Sequence, residues 1–201
     1  MRTASRPHVH TALLRRGRAH LARVQEASDA FFRKEADAVS RACRDMAGRF
    51  QRDGRLLAFG DGSAATDAYH VSVEFVHPVL VGKRALPALV LEAVPSRGIG
   101  LLGGPEDIAV GISSGPRTPA VEEALRAARG QGLLTVALEG MGGPEAAPPA
   151  NPVEVDHRFV MEESDPTTVQ EVHETLYHVL WELVHVFLDH GGLAGPEGPP
   201  K

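Results

Sequence analysis

Short apolar runs alternating with helical segments predict an α/β fold: a doubly wound parallel five-stranded sheet flanked by helices, with N-terminal helices and a long C-terminal helix. Three observations carry this. The runs are short, apolar and set off by glycine or polar residues, as strands buried on both faces are. The segments between them repeat apolar residues at helical spacing. The 201-residue length suits one such domain with a full core and is short for two.

From His8 to about Glu26, Leu13, Leu14, Leu21 and Val24 form a helical stripe, and Phe31 to Phe50 repeats the pattern through Ala36, Val39, Cys43 and Met46. Two N-terminal helices are expected, with Gly54 stopping the second. Arg55-Leu56-Leu57-Ala58-Phe59 reads as the first buried strand, followed by similar runs at Ala88 to Leu91, Ile108 to Ile112, Leu133 to Leu138 and, more weakly, Arg158 to Met161. The segments around 64–76 and 119–130 read as helices between them. Gly140 to Pro152, rich in Gly, Pro and Ala, reads as a surface loop. Thr167 to Asp189 reads as the long helix, with Pro166 at its start and Gly191-Gly192 past its end. The expected division is a helix for oligomerisation over 1–30, the domain over 31–190 and a disordered tail over 191–201.

Apolar residues at 43% and charged residues at 23% match a globular chain. A net charge of -5 argues against a general nucleic-acid partner, whereas a small anionic metabolite needs only a local site. The single cysteine, Cys43, has no partner for a disulfide or a thiolate cluster, which points to a reducing compartment and a place in a helix core. No run approaches the roughly 20 apolar residues of a membrane helix, so no membrane partner is expected. Residues 1–25 lack a secretory apolar stretch; their Arg-rich, acid-free composition mimics a transit peptide, but the apolar residues fit an ordinary helix. A cytoplasmic location is expected.

Four places carry possible chemistry. The loop Gly60-Asp61-Gly62-Ser63-Ala64-Ala65 lies between a strand and a helix, where open α/β folds bind ligands and free helix amides attract anions. A second such loop, Gly111-Ile112-Ser113-Ser114-Gly115-Pro116-Arg117-Thr118-Pro119, offers hydroxyls and an N-cap at Thr118 with Pro119 at the first helical position. Either loop alone is equally a turn shaped by geometry. His70 and Glu74, four apart on the helix after the first loop, share a face and suit a shared metal or substrate. The last helix carries Gln170, His173, His178, Glu182 and His185. Its H-E-T-L-Y-H stretch spaces the histidines five apart, not four, which excludes a zincin site. His178, Glu182 and His185 share a face at i, i+4, i+7 and rival the other histidine pair.

In this order and spacing, G-D-G-S-A-A-T-D-A-Y-H-V-S-V-E at 60–74, I-A-V-G-I-S-S-G-P-R-T-P-A-V at 108–121 and T-T-V-Q-E-V-H-E-T-L-Y-H at 167–178 resemble the SIS domain of phosphoheptose (sedoheptulose-7-phosphate) isomerases. The resemblance runs from about Ala38 to Leu188. It implies a metal-dependent aldose–ketose isomerase, a homotetramer acting on a sugar phosphate, with zinc held by His70, Glu74, Gln170 and His178. It further implies Glu74 as base, His178 as acid or electrophile, and substrate contacts from Asp61, Gly62, Ser63, Ser113, Ser114, Arg117, Thr118 and Gln170. An enediolate path needs both a base and an electrophile near the carbonyl, although a carboxylate bound to zinc is a poor base.

The chain departs from the family pattern at Asp61 (usually Asn), Ala64 (usually Ser), Gly115-Pro116 (usually Ser-Gly), Pro78 (usually Arg) and Ala93 (usually Asp). The connection from Ala93 to Asp107 is short enough that no helix is expected there. A related or differently held sugar phosphate therefore fits. Two other readings are a non-catalytic SIS protein, a sugar-phosphate sensor or a scaffold binding the replication initiator DnaA, which is expected to lack Glu74 and His178, and a metal-dependent aldolase or hydrolase using the same quartet.

Overall fold

Every strand run of the sequence lies in one sheet of order β2-β1-β3-β4-β5, with all neighbours parallel. The computed structural model describes residues 6–143, 147 and 149–190, and side chains from residue 10 onward. The elements are α1 (Arg6–Gln51), β1 (Leu56–Gly60), α2 (Ala64–Val76), β2 (Ala88–Val90), α3 (Pro95–Leu102), β3 (Ile108–Ser113), α4 (Pro119–Gly130), β4 (Leu134–Gly140), β5 (His157–Met161) and α5 (Pro166–Asp189). The tail expected to be disordered lies outside the described residues, as do four residues of the Gly140–Pro152 segment. The rest of that segment, after β4 ends, is loop.

Alternation along the strands divides the core. Leu56 and Ala58 of β1, with Ile108, Val110 and Ile112 of β3, pack against Val39, Cys43 and Met46 of α1 and Val172 and Leu176 of α5. Leu57, Phe59 and Ala109 face the other way, onto Ile99 of α3 and Val121 and Leu125 of α4. Central β3 and β4 are buried along their whole length, which is why their sequences read as unbroken apolar runs. Each fully buried aliphatic side chain contributes about 1.5–3 kcal/mol. Cys43 sits in this core, its Sγ against Leu180 O, as its helical spacing predicts.

Two expectations about helices are corrected. The two N-terminal helices are one, α1, running 46 residues through the expected break. Glu26-Ala27-Ser28-Asp29-Ala30 holds neither Gly nor Pro, and two alanines there favour continuation. A single helix therefore crosses the boundary drawn at residue 30. The Ala93–Asp107 connection does hold a helix, α3: Pro95 starts it at the first helical position, and two turns bury Ile99 in the second core. The short segment has room because eight residues rise only about 12 Å. Among the described residues, no helix is long and apolar enough to cross a membrane.

Because the strands are parallel, every strand-to-helix loop emerges at the same edge. From β1 the chain crosses through α2 to one side, and from β3 through α4 to the other, so the sheet splits between β1 and β3. Gly60 closes β1 there; a Cβ at this position would meet Ala64 O at 2.5 Å and Ile112 O at 3.0 Å. Gly60→Ala is expected to cost about 1–3 kcal/mol, seen as a lower urea midpoint. Gly100→Ala, on the open face of α3 with nothing within 4 Å, is expected to gain up to about 1 kcal/mol in the same measurement.

Candidate active site

The first loop enters α2 through Gly62, whose φ of 53° is one that side chains other than glycine adopt with strain. Ser63 stands at the start of α2 without capping it; its exposed Oγ is 3.0 Å from Ser114 Oγ of the second loop. The two loops thus meet hydroxyl to hydroxyl above the split in the sheet. Thr118 caps α4, accepting from Val121 N, with Pro119 at the first helical position. Asp61 lines an adjoining apolar hollow with Tyr69, Val90, Glu92 and Pro95.

Other second-loop residues turn inward. Ser113 is buried, and its Oγ has no partner among the described residues. Arg117 is 5% exposed. Its guanidinium lies 3.1 Å from Glu139 and 3.4 Å from Glu122, and donates to Val153 O at 3.0 Å. Arg158 adds two parallel bonds to Glu139, at 2.9 and 3.0 Å. Arg117 is therefore not brought to the cleft; it anchors the loop from behind.

His70 and Glu74, one turn apart on α2, meet His178 of α5. Glu74 Oε1 is 3.3 Å from His70 Nε2 and 3.8 Å from His178 Nε2, and the two rings cross at 77° with centroids 5.2 Å apart. Glu74 is the most enclosed of the three, its side chain 13% exposed. Gln170, two turns earlier on α5, donates from its amide nitrogen to Asp67 Oδ1 (3.0 Å) and Thr66 Oγ1 (3.3 Å), so its carbonyl oxygen is the atom that could ligate a metal.

Three residues around this group were not singled out from the sequence. Asp67 is buried beneath Gln170, and desolvation raises its carboxyl above the usual range, with Gln170 pulling it back. Glu174 lies 3.7 Å from His70 Nδ1 and offers, with one nitrogen each of His70 and His178, three donors within 4.8 Å of one another. The Tyr177 hydroxyl oxygen lies 2.8 Å from His70 Nδ1; burial and the carboxylates of Asp67, Glu174 and Glu74 raise its phenol above its ordinary value. The signal for two of them was available: Asp67 is i-3 from His70, and Glu174 is i-4 from His178.

The rival face separates. Glu182 is exposed, whereas His185 is buried with its ring nitrogens facing Trp181 O and Arg84 O. His173 is fully buried, its ring nitrogens unpaired among the described residues.

No family profile matches the chain. It is 35% identical over 184 residues to a phosphoheptose isomerase of Solidesulfovibrio magneticus, covering 82% of this chain and 87% of that one. It is 34% identical over 182 residues to one of Nitratidesulfovibrio vulgaris, covering 82% and 84%. The fold matches a solved phosphoheptose isomerase of Neisseria gonorrhoeae with a TM-score of 0.73 at 24% identity, over 86% of this chain and 98% of that one.

Burial lowers the His173 imidazole from its model-peptide value near 6.5 to about 4. The folded protein therefore keeps it neutral while the unfolded chain protonates it first. Its contribution is complete above about pH 6.5 and lost as the pH falls toward 4. At pH 5 the loss relative to pH 7 should be about 2 kcal/mol smaller in His173→Leu than in the wild type, measured by urea unfolding at both pH values.

Proposed function

The chain belongs to the phosphoheptose isomerase family, and from that premise we propose that it interconverts sedoheptulose 7-phosphate and an aldoheptose 7-phosphate through an enediolate. The carrying observation is the meeting of His70, Glu74 and His178, from helices about a hundred residues apart in sequence, beside two hydroxyl-bearing loops at one edge of the sheet.

The donor set fits a divalent metal. Neighbouring ligands on a tetrahedral ion with bonds of about 2.0–2.2 Å stand roughly 3.4 Å apart, close to the 3.3 and 3.8 Å separating Glu74 from the two rings. His70 and His178 would hold the ion, with Glu74 and the Gln170 carbonyl oxygen completing the set. Mixed nitrogen and oxygen donors suit zinc, which when bound supplies polarisation of the substrate carbonyl.

The phosphate fits against Asp61-Gly62-Ser63 and Ser114, with backbone amides at the starts of α2 and α4 and the Thr118 cap setting the second helix. In that pose the sugar carbonyl extends toward α5. Glu74 takes the proton from the carbon beside the carbonyl and returns it to the former carbonyl carbon, while His178, through the ring nitrogen not turned to the ion, donates to the carbonyl oxygen and recovers a proton from the adjacent hydroxyl as the new carbonyl forms. Base and ligand duties compete at Glu74; Glu174, within reach of both rings, offers a second acid beside the ion. The regulatory reading expects the loss of Glu74 and His178, both of which are in place.

The Leu13/Leu21/Val24 stripe of α1 suits assembly into a cytoplasmic homotetramer, since Leu13 and Leu21 are exposed along an otherwise solvated stretch of helix. Light scattering at micromolar concentration is expected to give four chains; a monomer refutes that assembly. Glu74→Gln is expected to fold normally and lose about 10²–10⁴-fold in turnover, measured as substrate proton exchange by NMR. Glu182→Gln, on the exposed side of α5, should keep wild-type turnover; the reverse pattern would place the site on the wrong face.

A further inference from the structure

Tyr177 is 1% exposed, with its ring in the main core, yet its hydroxyl reaches His70 Nδ1 at 2.8 Å. That nitrogen is the one turned away from Glu74, which sits 3.3 Å from Nε2. The two rings also pack edge to face, with centroids 5.2 Å apart and planes at 67°. The imidazole is thus held by a contact and by a directed bond at a position where phenylalanine would fill the same space.

A neutral imidazole carries its proton on one nitrogen and presents a lone pair on the other. A histidine that ligates a metal through one nitrogen donates the other N–H to an outer partner, which fixes tautomer and ring orientation. We propose that Tyr177 is the positioning residue for His70: its oxygen accepts the Nδ1–H and so holds the tautomer whose Nε2 lone pair faces Glu74. The Glu174 carboxylate, 3.7 Å from the same Nδ1, favours a proton there by its charge. This inference rests on the reading that a divalent ion binds at these residues.

The test is zinc binding by the metal-stripped full chain, in competition with a chromophoric chelator, for the wild type, Tyr177→Phe and His70→Ala. It is joined to long-range proton–nitrogen NMR of the zinc-loaded wild type. Tyr177→Phe is expected to bind zinc about 10–100-fold more weakly, with His70→Ala weaker still, and the spectrum should show His70 protonated at Nδ1. Unchanged zinc affinity in Tyr177→Phe alongside a defect in His70→Ala overturns the role of Tyr177, as does a zinc-loaded His70 protonated at Nε2. Should Tyr177→Phe fail to fold, the wild-type spectrum decides alone. A wild type that binds no zinc refutes the metal reading itself, and this inference with it, before any variant is compared.

Discussion

One constraint organises the molecule: all five strands point the same way. A parallel sheet obliges each connection to cross a face, and so it sends every strand-to-helix loop to one edge. The reversal of direction between β1 and β3 then parts two of those loops, and the Ser63–Ser114 contact is where they meet again. The helices that must cover the apolar faces carry the rest. α2 begins in the first loop, and α5 returns across the same face, so His70, Glu74 and His178 converge because the core requires both helices there.

A buried set of charges supports the second loop from below. Arg117 joins Glu122 of α4 to Glu139 at the end of β4, and Arg158 of β5 closes on the same carboxylate. Such a group contributes less to net stability than to specificity of place. Removing Glu139 takes from the buried Arg117 the nearer of its two carboxylates, and breaking a buried pair in this way costs about 3–5 kcal/mol. The loop backbone is therefore held by chemistry that never meets the cleft.

The strands and the three later helices were legible because burial on both faces, or on one face, writes its period directly into residue type. α1 was divided wrongly because its exposed part has only a sparse apolar stripe, which reads as a separate helix when no tertiary partner is considered. α3 was not expected because the Ala93–Asp107 connection reads as too short to hold a helix, and two turns give no periodic signal against that, leaving Pro95 as the only mark. At the site, spacing and resemblance placed His70, Glu74 and His178 together. The resemblance misjudged Arg117, since position in a loop does not say which way a long side chain turns. Tyr177 escaped notice because in the sequence it is one more large core residue of α5; only its hydroxyl, visible in three dimensions, sets it apart.

The unbroken length of α1 has a mechanical meaning. Forty-six residues make a rod of about 69 Å, and the first core contact on it, apart from partly buried side chains, comes only at Phe31. The outer part meets the body through Arg23, 3.5 Å from Asp165 at the start of α5, and the inner part lies along α5. α5 carries His178 and Tyr177. The outer turns of α1 are therefore joined to the helix that furnishes His178 and Gln170 by continuous helix and not by a loop.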